Sequence, residues 1–451
     1  NSGNGGAIDL DAGGNITTED LNSYSWSISR EGNSGNGGAI DLDAGGNITT
    51  QGLFSDSYSL SSLGSSGNGG AIDLDAGGNI TIQQHEFYSG LYSFSYSKSG
   101  NSGNGGAIDL DADGNITVQE LYSFSYSSSG NSGKGGDITL NAKTIKFNPV
   151  QHGNAEKLRI NTFSVGKKES EEGKGGDVNI TTNNLSNTEI LTLSSHSKSG
   201  KVTIESKTQE PLQIEYSSIV TSEQVTITIT MPWGRKIQVK LETGNTQSGD
   251  VSINSSGDLN LSNVTIESDT KSNQAAGDVN IYSRGNITLD NTDFISTTSS
   301  QGNAGQITLE TEQNIELTNN SKILASTEDI GNAGKINIQA NNLTLDKNTR
   351  LITETASEGN PGEITIQANT VDIGENAQAS ATVLIGSSST GDGGNITIET
   401  NELNITGKLG IFAETEAGAN AGILRISPYQ NDPDLDITFK NDGFISASTS
   451  S

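Results

Sequence analysis

The stretch "NSGNGGAIDLDAGGNIT" spans residues 1–17 and returns letter for letter at 33–49. Its last sixteen letters recur at 66–81, and a copy with Asp113 in place of Gly occupies 101–117. A catalytic site needs its special residues once, in one geometry, so near-verbatim repetition points to architecture. Within the phrase, "AIDLDA" alternates apolar and acidic residues, the period of a β-strand with one buried face. The flanking Gly and Asn residues mark bends.

Weaker forms of the phrase continue along the chain, among them "GKGGDVNITT" (173–182), "AGDVNIYSRGNITL" (276–289), "AGKINIQANNLTL" (333–345) and "GGNITIETNELNI" (393–405). The lead apolar residue of each copy gives the series Ile8, Ile40, Ile72, Ile108, Ile138, Val178, Val202, Val251, Val279, Ile307, Ile336, Ile364, Ile396 and Leu424. The commonest step is 28 residues. In residues 278–305, "DVNIYS" and "NITLDN" alternate around the break "RG", followed by "TDFISTTS" and the polar loop "SQGNAG". Three short strands per unit of nearly constant length predict one coil of a parallel β-helix. A lone coil cannot bury its inner face, whereas stacked coils pair each strand with its own copies about 4.8 Å away. The expectation is an all-β, single-stranded parallel β-helix (β-solenoid) with three strands per coil, in about 14 coils of about 28–32 residues.

Composition agrees with a thin but ordered core. Hydrophobic residues make up 31%, aromatics 5%, and Gly numbers 56; the regular alternation separates this chain from a disordered one. Cys is absent, and continuous backbone pairing makes disulfide staples unnecessary. The net charge of −29 opposes nucleic-acid binding. No apolar run approaches a membrane span. Charge divides the chain into three regions: near-identical acidic coils at 1–136, irregular coils at 137–250 with 13 acids and 13 bases, and regular acidic coils at 251–451.

If Ile and Leu of "AIDLDA" point inward, stacking sets Asp9, Asp41, Asp73 and Asp109 in one outer column and Asp11, Asp43, Asp75 and Asp111 in the next. Like charges in register repel. Two readings follow: a solvated acidic face, or a face relieved by Ca²⁺, which prefers many carboxylate oxygens. "GNIT" repeats Asn15, Asn47, Asn79, Asn115 and Asn286 at one bend, where Asn tolerates left-handed backbone and its amide can bond the next coil. The N-x-T glycosylation pattern these residues create is read as a by-product of bend chemistry. The third strands of the early coils are rich in Ser and aromatics. Aligned on Gly32, Gly64, Gly100 and Gly130, they stack Trp26, Tyr58, Phe94 and Phe124, with Ile28, Leu60, Tyr96 and Tyr126 alongside. Burying aromatics outweighs burying Ser, so the expectation is an aromatic core ladder with an outer Ser face. The opposite orientation makes an outer strip able to stack on sugar rings.

The pattern breaks between Val202 and Val251, a step of 49 residues. The excess holds "VTITITMPWGRKIQVKLET" (225–243), two alternating runs around a turn, which predicts a projecting β-hairpin. Its turn gathers Met231, Trp233, Arg235 and Lys236, residue types enriched at binding hot spots; the alternative is that they pack down on the coils. The 40-residue step from 138 predicts a second excursion. His85, His152 and His196 are isolated, and no H-x-x-x-H, Cys pair or G-x-S-x-G occurs. Acids form repeated columns in place of one constellation, so an enzyme is not expected.

The "GNGGxIxLxAxGNITL" unit with Ser/Thr-rich third strands resembles the repeat regions of filamentous-haemagglutinin-like large exoproteins, the cyanobacterial two-partner-secretion type most closely. The resemblance covers the chain apart from the hairpin. It implies a right-handed β-helix, secretion, and a role in adhesion or surface fibres, while the family's N-terminal secretion domain is not seen in this chain and no ligand residues transfer. The reading is a secreted or cell-surface structural protein, an adhesin or an extracellular filament subunit, with a glycan or a surface protein as ligand. Neither end carries a recognisable cap, so self-association end to end, or continuation into further repeats, is expected. The alternative is a β-helical protein that binds or degrades polysaccharide.

Overall fold

A computed structural model describes residues 1–28, 30–83, 90–147, 157–167, 173–221, 226–230, 236–240, 246–355, 359–383, 392–407, 410–415, 420–431 and 434–449. The chain is a parallel β-solenoid. Three kinds of strand recur in fixed order, fourteen of each among the described residues, and the only helical element there is a short 3₁₀ turn at Tyr429–Asn431. Among the described residues, no helix is long and apolar enough to cross a membrane. The coils group into two compact units, Asn1–Lys207 with Ile219–Gly249, and Thr208–Ser218 with Asp250–Ser451.

In the first unit, the lead residues pair in parallel as Ile8↔Ile40, Ile40↔Ile72, Ile108↔Ile72, Ile108↔Ile138, Ile138↔Val178 and Val178↔Val202. In the second, Val251, Val279, Ile307, Ile336, Ile364, Ile396 and Leu424 continue in the same way. These are the positions at which the sequence pattern placed them. The reason is burial: in Ile40–Ala44 the pattern is inward Ile, Leu and Ala with outward Asp, and Ile40, Leu42, Ile72 and Leu74 are essentially inaccessible. Each such side chain removed from water is worth about 1.5–3 kcal/mol, and a one-residue slip would turn the whole column outward.

The bends hold the coils in register through side chains. Asn15 Oδ1 accepts the backbone N–H of Asn47 at 2.7 Å, Asn47 Oδ1 that of Asn79 at 2.8 Å, and Asn79 Oδ1 that of Asn115 at 2.9 Å. The left-handed backbone expected at this bend occurs instead at the next one, before the third strand, at Asn187, Asn263, Asn291, Asn348 and Asn376. The "GNIT" Asn residues are thus ladder formers, and a separate Asn series makes the sharp turn.

The Gly-rich phrase has its own task. Ser55 Oγ donates to Gly38 O at 2.5 Å, Ser57 Oγ to Gly35 O at 2.6 Å, and Ser95 Oγ to Gly67 O at 2.6 Å. The closing segment therefore lies flat against the Ser face of the third strand. A Cβ on Gly70 would sit 2.3 Å from both Gly38 O and Ser55 Oγ, so only glycine fits this approach. The hairpin is present: Thr226–Thr230 and Lys236–Lys240 pair antiparallel, with Ile227 opposite Val239 and Ile229 opposite Ile237. The second excursion, at 148–156 and 168–172, lies outside the described residues.

Candidate functional site

The acidic face is built as its sequence pattern implies. Asp9, Asp41, Asp73 and Asp109 are in register, as are Asp11, Asp43, Asp75 and Asp111. The column ends where Asp109 meets Thr139 and Asp111 meets Asn141, whose Nδ2 donates to Asp111 Oδ2 at 3.1 Å. Partial burial, then the neighbouring carboxylates, raise the proton affinity of Asp73, Asp75 and Asp109. Among the described residues, no three carboxylate or imidazole groups converge on a point that would hold a metal ion. The geometry explains this. In-register parallel strands set the carboxylates side by side on a flat face about 4.8 Å apart, whereas Ca²⁺ needs six to eight oxygens wrapped around it.

The third sheet of the first unit is different in kind. Strands Gly52–Ser59, Gly90–Ser97 and Leu158–Val165 are buried on both faces along nearly their whole length. One face carries Leu53 and the Ser residues bonded to the closing segment. The opposite face carries the aromatics, which form a separate hydrophobic cluster with Val165, Leu191, Leu193 and Val220. The expected aromatic core with an outer Ser face is therefore corrected. Ser is buried too, because glycine carbonyls satisfy its hydroxyls, and the aromatics make a second core on the other side of the sheet.

The expected columns are corrected as well. Trp26 pairs with Tyr58, Tyr58 with Tyr96, and Tyr96 with Tyr126. Phe94 stands opposite Asp56, and Phe94, Phe124 and Phe163 follow one another. The closing loop after Ser59 is two residues longer than that after Ser97, so alignment on the terminal glycines slips the strands by two. The rings stack face to face: Phe94 on Phe124 at 4.7 Å, Phe124 on Phe163 at 4.5 Å, Tyr92 on Tyr122 at 5.3 Å. Offset-stacked pairs of this kind add about 0.5–1.5 kcal/mol each beyond their buried area.

Charged groups interrupt this apolar sheet at two places. At its start, Gly52 and Gly90 pair, and Glu120, Arg159 and Glu189 succeed them in the same column. The absence of side chains on the glycines leaves room for the rings, since a Cβ on Gly52 would meet Phe54 Cε2 at 2.8 Å. Tyr92 Oη donates to Glu120 Oε2, and Arg159 Nη1 lies 3.4 Å from Glu120 Oε1. Burial pushes the Glu120 carboxyl up, against the opposing pull of Tyr92 and Arg159. Burial, with Glu120 beside it, holds the Tyr92 hydroxyl well above its usual range, so Tyr92 stays a donor. Inside the ladder, Asp56 takes a place that belongs to Phe in the next three coils. It is 3% exposed, its Oδ1 has no hydrogen-bond partner among the described residues, and burial raises its carboxyl far above the ordinary value despite one backbone hydrogen bond from Phe94.

Met231, Trp233 and Arg235 lie outside the described residues, and Lys236 begins the second hairpin strand opposite Thr230. His85 and His152 also lie outside the described residues, while His196 is half-buried with Nδ1 2.7 Å from Ser195 Oγ. In the second unit a cleft of about 410 Å³ beside Asn341, Asn369, Asn401 and Tyr429 is lined by amides already bonded to one another and to the Tyr429 N–H. No protein family matches the chain, and neither a curated protein nor a solved structure matches it. Sequence reasoning passed over Asp56, Glu120 and Arg159 because it searched for what repeats. The signal was there: each is the residue that breaks its column.

Proposed function

We propose that the chain is a secreted or cell-surface structural protein, an adhesin or an extracellular fibre subunit, and that it is not an enzyme. The observation that carries this reading is the in-register repetition of outward residues, with Asp9, Asp41, Asp73 and Asp109 meeting like with like from coil to coil. A surface of this kind offers the same weak contact many times over, which suits avidity and scaffolding. Chemistry at a single point would need singular residues instead.

The test uses antibodies raised against the purified chain. Labelling of intact, unpermeabilised producing cells is expected, and labelling that needs permeabilisation refutes a surface role. Beads coated with the chain are expected to retain cells or purified surface glycans above beads coated with albumin, and negative-stain images are expected to show ordered polymers if it is a fibre subunit. Dispersed short particles together with inert beads would leave neither form of the proposal standing.

A further inference from the structure

One column of the third sheet changes size abruptly. Tyr58, Tyr96 and Tyr126 stack with ring centroids 4.6 and 5.2 Å apart and nearly parallel planes. The next residue in register is Val165, and the one after it is Ser195, since Ser164 pairs with Ser194. Side-chain volume thus steps from Tyr to Val to Ser over two coils, and the far face of the Tyr126 ring has no ring to stack on. Tyr126 is half-buried, unlike the inaccessible rings of the neighbouring Phe94–Phe124 column.

A cleft of about 290 Å³ opens at this step, lined by Tyr126, Ser128, Val165, Lys167, Ser195 and His196 among others. Its floor is braced. Gly166 N donates to Ser195 Oγ at 3.1 Å, Ser195 Oγ meets His196 Nδ1 at 2.7 Å, and Lys167 N donates to Gly130 O at 3.0 Å. With Nδ1 engaged by Ser195, the other ring nitrogen of His196 is the one left to address a ligand. No carboxylate is among the described residues lining the cleft, although the chain carries a net charge of −29.

We infer that this cleft binds a sugar ring bearing a carboxylate, that is, a uronic-acid residue of an acidic polysaccharide. A pyranose has one face of C–H groups, and these carry slight positive charge that suits the negative face of an aromatic ring. Tyr126 supplies that face. The Ser128 hydroxyl, whose own proton goes to Lys98 O, can accept from the sugar's hydroxyl rim, the His196 ring matches that rim from the other side, and the Lys167 ammonium supplies the point charge for the carboxylate. The volume is near the lower end of the roughly 300–1,000 Å³ usual for ligand pockets, the size for one or two sugar residues. The inference deepens the adhesin reading and rests on it for biological meaning, by naming the class of glycan held.

Titration calorimetry of the full chain with trigalacturonate, and with neutral cellotriose as comparison, tests it. Trigalacturonate is expected to bind at least tenfold more tightly than cellotriose. Tyr126→Ala is expected to weaken it at least tenfold, Tyr126→Phe less than threefold, and Lys167→Ala to remove the preference for the acidic sugar. Lys167 is exposed, so its variant keeps the test valid should Tyr126→Ala fail to fold by circular dichroism. Absence of binding, or binding indifferent to both Tyr126→Ala and Lys167→Ala, overturns the site. Equal binding of both sugars overturns the acidic class. Binding by the purified chain alongside inert coated beads would refute the adhesin reading and leave the site intact.

Discussion

Asp56→Asn is the most discriminating substitution in the fold. It keeps the shape of the side chain, removes its ability to ionise and exchanges one acceptor oxygen for an NH2 donor. Asp56 is buried on the aromatic face between Phe54 and Tyr58, in register with Phe94, and one of its oxygens has no partner among the described residues. A carboxyl whose proton affinity rises on folding has a definite pH signature. Below about pH 3.9, the ordinary Asp value, the folded and unfolded chains both hold the proton and Asp56 costs nothing electrostatically. As pH rises past that point the unfolded chain loses its proton first, the folded chain retains it, and stability falls until the raised folded value is passed. Every tenfold rise in proton affinity on folding is worth about 1.36 kcal/mol, and a buried polar atom without a partner costs about 1–3 kcal/mol. Asp56→Asn is therefore expected to stabilise the first unit at pH 7 by at least the value of one such tenfold rise, about 1.4 kcal/mol, and by much less at pH 3. Urea unfolding of both proteins at the two pH values measures the difference of differences, which cancels the titration of the other acids. A gain equal at pH 3 and pH 7, or a loss at pH 7, would refute the argument that Asp56 is an uncompensated carboxyl.

Three further outcomes are expected. Tyr92→Phe removes the donor to Glu120 and should cost roughly 1–2 kcal/mol; in a double-mutant cycle with Glu120→Gln the two effects should couple, and strict additivity would deny the contact any energetic role. Gly70→Ala would drive a Cβ to 2.3 Å from Gly38 O, whereas a Cβ on Gly13 would meet nothing within 4 Å; the first should cost at least about 2–4 kcal/mol and the second stay within about 0.5 kcal/mol, as read by midpoints of thermal unfolding. Since no metal-binding group forms among the described residues, excess EGTA is expected to leave the thermal midpoint in place, and a fall of several degrees would make the Asp columns calcium sites after all.

How much of this was legible in the sequence depends on where a residue's partners sit. Ile8, Ile40 and Ile72 announce their pairing because period-2 alternation and recurrence together leave one register that buries them. The aromatic columns were misaligned because Leu60–Gly64 absorbs two extra residues that no strand pattern records, and the strands pair from Leu53 and Leu91 at their other end. The Ser faces were misread for a chemical reason. Ser looks like a solvent-facing residue until a backbone carbonyl such as Gly38 O is close enough to accept its proton, and that approach is a tertiary fact. Hairpin strands Thr226–Thr230 and Lys236–Lys240 were readable from local alternation alone.

The residues that build this fold differ in kind from those that individualise it. Stacking demands that each coil match its neighbours, so repetition carries the structural information: Ile in the core, Asn at the ladder, Gly under Ser. A residue that breaks its column cannot be there for stacking. Asp56 among Phe residues costs stability, Glu120 below two glycines requires Arg159 and Tyr92 to satisfy it, and Val165 below Tyr126 exposes a ring face that another Tyr would cover. Asp56 stays buried, while Glu120 and Arg159 are partly exposed but occupied by each other and by Tyr92. The third opens to solvent as a cleft with hydroxyls, an imidazole and an ammonium around it. That difference is why, in a molecule made of copies, ligand recognition falls to the step from Tyr126 to Ser195.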